Sequence, residues 1–280
     1  MLFYKSPLHC LRKTSWFKKL TLSFINNPKF FNIGFPFKVA LLPITHASIW
    51  CRTSKLEPEI SYYFKGIIKK LDEYKINGCF CDVGANIGFY TWLCLQQSKG
   101  RKIISFEPDP SNFKLLSLTK DNTIAKNITL RNRALSNKNG NTLFLQDQLT
   151  SATGMIKNGD KTWGEKYLGQ KSNTIKIKRE KLDDLDFSEQ PPCLIKIDVE
   201  GHELEVLEGG ENIILKHLPI LLIESFKPVQ NEVLLFLKKL GYFFWDTENH
   251  LPLNENTSNF LSWHENGPLD EKQLRSLFSQ

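Results

Sequence analysis

From residue 60 onward the chain alternates short apolar runs with longer amphipathic stretches, and this alternation limits the possible folds more than any other feature. Five runs have the length of strands: CFCDVG (79–84), KIISFE (102–107), NITLRNRAL (127–135), CLIKID (193–198) and PILLIES (219–225). Four of them are near-continuously apolar, as strands covered on both faces require. Helical patterns follow the first, second, fourth and fifth runs, at about 86–97, 110–121, 202–217 and 229–240. Such repeated units predict an α/β domain built on a doubly wound, Rossmann-like, mostly parallel sheet. Asn139-Gly140 reads as a hairpin turn that sets TLFLQ (142–146) opposite the third run. The segment 147–190, rich in Gly, Asn, Lys and Asp, reads as an insertion with one further strand at 173–179. YFFW (242–245) and NFLSW (259–263) are expected to pair as an antiparallel edge.

Sheets of this kind bind ligands beyond the carboxyl ends of their strands, near the point where strand order reverses, so polar residues there are the candidates. Asp82 closes the first run. Gly84, Ala85, Asn86 and Gly88 then form a turn of little bulk, and Phe89 opens the next helix, whose free N–H groups face the same ligand. Glu107 ends the second run in FEPDP, where Pro108 stops the strand and leaves a carboxylate able to accept both hydroxyls of a ribose. Together these features predict a nucleoside. The dinucleotide spacing G-x-G-x-x-G is absent, and so is a triphosphate loop G-x-x-x-x-G-K-[ST]. Asp82, two residues before the first glycine, would repel a pyrophosphate and attract an ammonium. S-adenosyl-L-methionine is therefore the expected cofactor, held at its ribose by Glu107 and at its amine by the Asp82 loop.

A second constellation is IKIDVEGHELEVLEGGENII (195–214). Asp198 ends the fourth run, beside the first in a doubly wound sheet, and is expected to face the reacting end of the cofactor. Glu200 and His202 lie on the following turn, so Asp198, Glu200 and His202 are the candidate catalytic residues, with His202 the best matched in basicity to neutral pH. Glu203 and Glu205 read as acids that offset a helix dipole. The zinc pattern H-E-x-x-H fails because position 206 is valine. Lys196 shares a strand face with Asp198 and is expected to pair with it. A divalent metal held near Asp198 and Glu224 is weighed and not favoured.

CDVGANIGFYT, FEPDP, NRALS, IKIDVEGHELEVLEGG and PILLIES, in this order and spacing, resemble the FkbM-type S-adenosylmethionine-dependent methyltransferases from about residue 79 to 225. The resemblance implies a seven-strand methyltransferase sheet with an antiparallel terminal strand, and O-methylation of a hydroxyl on a sugar, glycan or natural product. It implies cofactor roles for Asp82, Gly84, Asn86, Gly88 and Glu107, and places Asn132 and Ala134 of NRALS near the adenine. It also implies active-site positions for Asp198, Glu200 and His202. An RNA methyltransferase and a non-catalytic nucleoside-binding module are the alternatives. No Asn/Asp-Pro-Pro-aromatic motif for amino-group methylation occurs in the chain.

The net charge of +7 is unevenly placed: Lys5, Arg12, Lys13, Lys18, Lys19, Lys29, Lys38, Arg52 and Lys55 all precede the first acid, Glu57. This divides the chain into a basic extension (1–60) and a methyltransferase domain (61–280). Peripheral contact with an anionic membrane or a lipid-linked glycan through residues 1–56 is expected, with nucleic acid a weaker candidate partner. SWFKKLTLSFI (15–25) has the spacing of an interfacial helix or of one packed on the domain. No run is apolar and long enough for a secretory signal or a transmembrane helix, and the acid-free start also resembles a mitochondrial transit peptide. The six cysteines include no C-x-x-C pair, Cys79 and Cys81 are placed on opposite strand faces, and reduced thiols in a cytoplasmic protein are expected.

Overall fold

The computed structural model describes residues 27–50, 56–146, 155–156, 173–254 and 257–278. The expected helix at 15–25, Cys10, Cys51 and most of the 147–172 stretch lie outside the described residues. A short antiparallel hairpin, β1 (Lys29–Phe31) and β2 (Val39–Leu41), precedes the helix α1 (Pro58–Glu73). Then follow β3 (Cys79–Val83), α2 (Phe89–Gln97), β4 (Ile103–Phe106), α3 (Pro110–Asp121) and β5 (Ile128–Arg131). The strands β6 (Ala134–Leu135), β7 (Gly140–Gln146), β8 (Met155–Ile156) and β9 (Asn173–Glu180) form a second sheet. The chain returns to the first through β10 (Pro192–Ile197), α4 (Glu203–Glu208), α5 (Glu211–His217), β11 (Ile220–Glu224), α6 (Val229–Lys239), β12 (Tyr242–Asp246) and β13 (Asn259–His264).

The main sheet has seven strands in the order β12-β13-β11-β10-β3-β4-β5. Pairing is parallel from β11 to β5, and β13 runs antiparallel to both of its neighbours. The terminal strand is thus the antiparallel one, inserted one place in from the edge. Alternation along each strand sorts side chains to two faces. Phe80, Leu194 and Leu222 join a core with α1, α2 and α3, whereas Cys79, Cys81, Ile195, Ile197 and Leu221 join another with α4 and α6. Cys79 and Cys81 therefore share a face, Sγ to Sγ 3.9 Å, and the expectation of opposite faces is overturned by the two-residue period of a strand.

Helix α1 buries Ile60, Phe64, Ile67, Ile68 and Leu71, a stripe at helical spacing on the first core. Full burial of each such side chain is worth about 1.5–3 kcal/mol. The preceding segment belongs to the same core: Ile33, Phe35, Val39, Ala40 and Leu41 are buried there, and the Ala40 N–H donates to Thr119 Oγ1 at 2.9 Å. No helix among the described residues is long and apolar enough to cross a membrane.

Two local expectations are corrected. The third apolar run is split, its first half joining β4 in the main sheet and its last two residues crossing to the second. TLFLQ does not pair with it. β7 pairs instead with β9, from Gly140↔Arg179 to Gln146↔Asn173, because β9 offers a partner along its whole length. The helix expected over 202–217 is broken at Gly209-Gly210. A Cβ at Gly209 would lie 2.0 Å from the Ser136 carbonyl oxygen, so the loop after β6 passes where a continuous side-chain-bearing helix would need room.

Candidate active site

Strand order reverses between β3 and β10, and a cleft opens at their carboxyl ends. The Asp198 N–H donates to the Val83 carbonyl at 3.0 Å, which draws the two strand ends together. Gly84, with φ +80°, is required by that approach: a Cβ there would stand 1.9 Å from the Asp198 carbonyl oxygen. The cleft, of about 80 Å³, is lined by Gly84, Asn86, Glu107, Asp198, Glu200 and His202, with Phe106, Ala134, Leu135 and Phe144 as apolar walls.

Glu107 is 3% exposed at the tip of β4. Its Oε2 accepts the Asn86 N–H at 2.7 Å and its Oε1 accepts the Asp109 N–H at 2.8 Å. Burial raises its pKa to about 8, against the pull of those two donors and with further upward pressure from Asp109 and Asp82. Asn132 braces the same corner, its amide donating to the Glu107 and Pro108 carbonyls at 2.8 and 3.1 Å.

Asp82 is placed differently from expectation. It shares the face of Phe80 on β3, so it points under α2, where Oδ2 accepts Thr91 N–H at 2.9 Å and Thr91 Oγ1–H at 2.6 Å. Burial raises its pKa, with Lys196 and Thr91 opposing. It is 2% exposed, lies outside the residues that line the cleft, and ties the end of β3 to α2 through Thr91. Ala85 and Gly88 are likewise off the cleft wall. Gly88 precedes α2, and a Cβ on it would strike Leu116 and Trp92. Phe89 packs against Phe35, ring centroids 5.9 Å apart.

At the far end of the cleft the expected pair is present: Lys196 Nζ lies 2.9 Å from Asp198 Oδ2. Burial works against the lysine's charge, but Asp198, Glu57, Asp82 and Glu224 outweigh it and raise its pKa. Glu224 is held well above the usual carboxylate range, chiefly by Asp198 and then by burial. His202 is buried, with Nε2 3.0 Å from Ser136 Oγ and Nδ1 3.3 Å from Glu205 Oε2. Burial, reinforced by Arg179, lowers its pKa to about 4. Burial thus favours its neutral form. Glu200 lies at the cleft with φ 55°. Glu203, read as a helix-start acid, accepts the Gly201 N–H at 2.8 Å, and burial raises its pKa to about 6. No group of three or more His, Cys, Asp or Glu side chains among the described residues is arranged to hold a metal ion.

Residues 82–244, more than half of the chain, match the family model of the methyltransferase FkbM domain. The chain belongs to the FkbM methyltransferase family. A hexuronic acid methyltransferase of Haloferax volcanii is 34% identical over 144 residues, covering 51% of this chain and 54% of that protein. Methyltransferase sdnD of Sordaria araneosa is 25% identical over 215 residues, covering 62% of this chain and 77% of that one. The chain thus spans about half the length of the Haloferax relative. Among solved structures, a methyltransferase FkbM from Methylobacillus flagellatus KT aligns with a TM-score of 0.46 at 19% identity, over 67% of this chain and 44% of that one.

Within the FkbM region, sequence reasoning did not anticipate Phe144 and Arg133 as cleft residues. Phe144 comes from the second sheet, which was expected to pair elsewhere. Tyr90 and Glu57 were missed as well. Tyr90 reads as an ordinary helix aromatic, and Glu57 precedes the region the family model matches. The Tyr90 hydroxyl donates to Glu57 Oε2 at 2.6 Å, and the Tyr90 ring lies 4.6 Å from Lys196 Nζ.

Proposed function

We propose that this chain is an S-adenosylmethionine-dependent methyltransferase that methylates a hydroxyl oxygen on a sugar, glycan or natural product. The observation that carries this reading is the Glu107 carboxylate, held at the tip of β4 by two backbone donors and opening on a cleft that ends at Asp198. An ionised carboxylate has about four acceptor positions, so two remain for the paired hydroxyls of a ribose. Phe106, Ala134, Leu135 and Phe144 offer apolar walls for a base. The residues present thus fit the cofactor, which supplies a methyl group on a sulfonium sulfur.

The chain's own part is to align an acceptor oxygen with that methyl and to remove the hydroxyl proton. Asp198 lines the cleft with its carboxylate braced by Lys196, and it is the proton acceptor in this reading. His202, neutral and tied to Ser136, shapes the wall, and Glu200 stands beside it at the entrance. Oxygen as the acceptor atom and a sugar as its bearer are supported by the family and by the Haloferax relative named a hexuronic acid methyltransferase.

The test is a labelled-methyl screen with purified full chain and S-adenosylmethionine, across hexuronic-acid oligosaccharides, neutral glycans, lipid-linked sugars and RNA. The expected result is label on a sugar oxygen, lost in Asp198→Asn. Label on RNA alone, or none on any acceptor, contradicts the reading.

A further inference from the structure

Lys196 is anomalous in β10: it is 4% exposed on a strand whose remaining residues, Pro192, Cys193, Leu194, Ile195 and Ile197, are apolar. A buried ammonium persists only where its surroundings hold the charge, and they do so from several elements. Its Nζ lies 2.9 Å from Asp198 Oδ2 and 4.6 Å from the centre of the Tyr90 ring. The register sets it opposite Asp82 on β3. Tyr90 is fixed in turn, its hydroxyl donating to Glu57 Oε2 at 2.6 Å. Glu57 stands at the start of α1 with φ 41°, a left-handed conformation that a residue bearing a side chain adopts only where its surroundings enforce it. The charged groups around the lysine are thus Asp82 from β3, Glu57 from the start of α1, Asp198 after β10 and Glu224 from the end of β11.

This arrangement exceeds what packing needs. An apolar side chain would fill the same volume without a buried charge, and buried ion pairs are not in general more stable than such replacements. Asp198 would then lose the partner that fixes one of its oxygens. We infer that Lys196 is a positioning residue for the methyl-transfer reaction. Held by the Tyr90 ring and, through the Tyr90 hydroxyl, by Glu57, it keeps the Asp198 carboxylate in one orientation at the acceptor end of the cleft. Helix α1, which precedes the FkbM region, is thereby part of the working site. The inference rests on the reading of Asp198 as proton acceptor.

The experiment compares the full-length protein with Lys196→Met, Lys196→Arg and Glu57→Ala. It measures S-adenosylhomocysteine affinity by calorimetry, and kcat and KM on the most active acceptor of the methyl screen. Lys196→Met is expected to bind S-adenosylhomocysteine within about threefold of wild type while kcat falls by about 100-fold, the scale of lost acid–base assistance. Lys196→Arg is expected to recover most of that loss because it restores a cation beside Asp198. Glu57→Ala, at an exposed position, removes the acceptor of the Tyr90 hydroxyl and is expected to lower kcat severalfold with donor affinity unchanged. Wild-type kcat in Lys196→Met, or an equal loss in Lys196→Met and Lys196→Arg, overturns the inference. Should Lys196→Met fail to fold, unchanged kcat in Glu57→Ala overturns it. If wild type binds S-adenosylhomocysteine but methylates nothing, the reading of the reaction fails and the inference with it. If wild type methylates and the variants match it, only the inference fails.

Discussion

Glu107 Oε2 accepts the backbone N–H of Asn86 at 2.7 Å, which ties the tip of β4 to the turn after β3. Asp109 N–H occupies the other oxygen at 2.8 Å, so the carboxylate cannot turn away from the cleft. In the free protein its pKa of about 8 leaves it mostly protonated at pH 7. Two ribose hydroxyls would add donors, and a carboxyl surrounded by donors is stabilised in its ionised form. Cofactor or product binding at pH 7 is therefore predicted to release close to one proton, and affinity to rise with pH until about 8. Calorimetry in buffers of different ionisation enthalpy reads this directly. A binding enthalpy independent of the buffer contradicts it.

The same group makes stability depend on pH. Folded Glu107 retains a proton up to about 8, whereas the unfolded chain releases it near 4.5, so the folded state binds more protons between those values and loses stability as pH rises through the window. His202 acts oppositely. Its folded value of about 4 lies below the unfolded 6.5, so its contribution is present above 6.5 and is lost as pH falls through that window. Between pH 6.5 and 8 the Glu107 slope has no opposition from His202. The melting temperature of the free protein is predicted to fall over that interval, by on the order of 1 kcal/mol per pH unit in stability. Saturating S-adenosylhomocysteine should flatten the slope. A melting temperature that rises over the same interval contradicts the assignment.

Gly84→Ala is predicted to be among the most damaging single-methyl changes in the chain. The added carbon would meet the Asp198 carbonyl oxygen at 1.9 Å and strain a backbone at φ +80°. Strain of this kind costs about 1–3 kcal/mol before the clash is relieved by parting β3 from β10. Urea unfolding should show the loss, accompanied by loss of S-adenosylhomocysteine binding. Wild-type values for both would disprove the close approach of the strand ends.

His202 and Asp198 are predicted to separate in kinetics. Asp198→Asn removes the proton acceptor and should lower kcat by roughly 100-fold or more. His202→Ala removes a neutral side chain bonded to Ser136 and should cost less than about tenfold, mostly through the cleft wall and stability. Equal losses in the two variants would restore histidine to the chemistry.

A membrane role for the basic N-terminal residues is tested by a deletion that ends before the core residues at 33–41. Deleting residues 1–26 removes Lys5, Arg12, Lys13, Lys18 and Lys19. Each is worth about 1 kcal/mol at an anionic surface, so sedimentation with phosphatidylserine vesicles should fall by orders of magnitude while turnover on soluble acceptors is unchanged. Retained vesicle binding rules this segment out as the anchor.

The sheet was legible because most of its strands are near-continuously apolar and several carry an acid at the carboxyl end. CLIKID and PILLIES announced β10 and β11 almost to the residue. The hairpin of β1 and β2 was not legible, since three-residue strands carry no readable period. The exchange of partners in the second sheet was hidden because a strand's own residues do not name its neighbour. At the cleft, Glu107 and Asp198 stood out as carboxylates at strand tips. The inward aim of Asp82 could have been read from its parity with Phe80, whereas the reach of Glu57 to Tyr90 depends on where α1 lies on the sheet.

The most direct measurement is calorimetric titration of the full-length protein with S-adenosylhomocysteine, beside Glu107→Ala. The account predicts saturable one-to-one binding by wild type and an affinity lower by about 100-fold or more in the variant, the scale of two lost hydrogen bonds to a charged group. No binding by folded wild-type protein, or equal affinity in the two proteins, would contradict it.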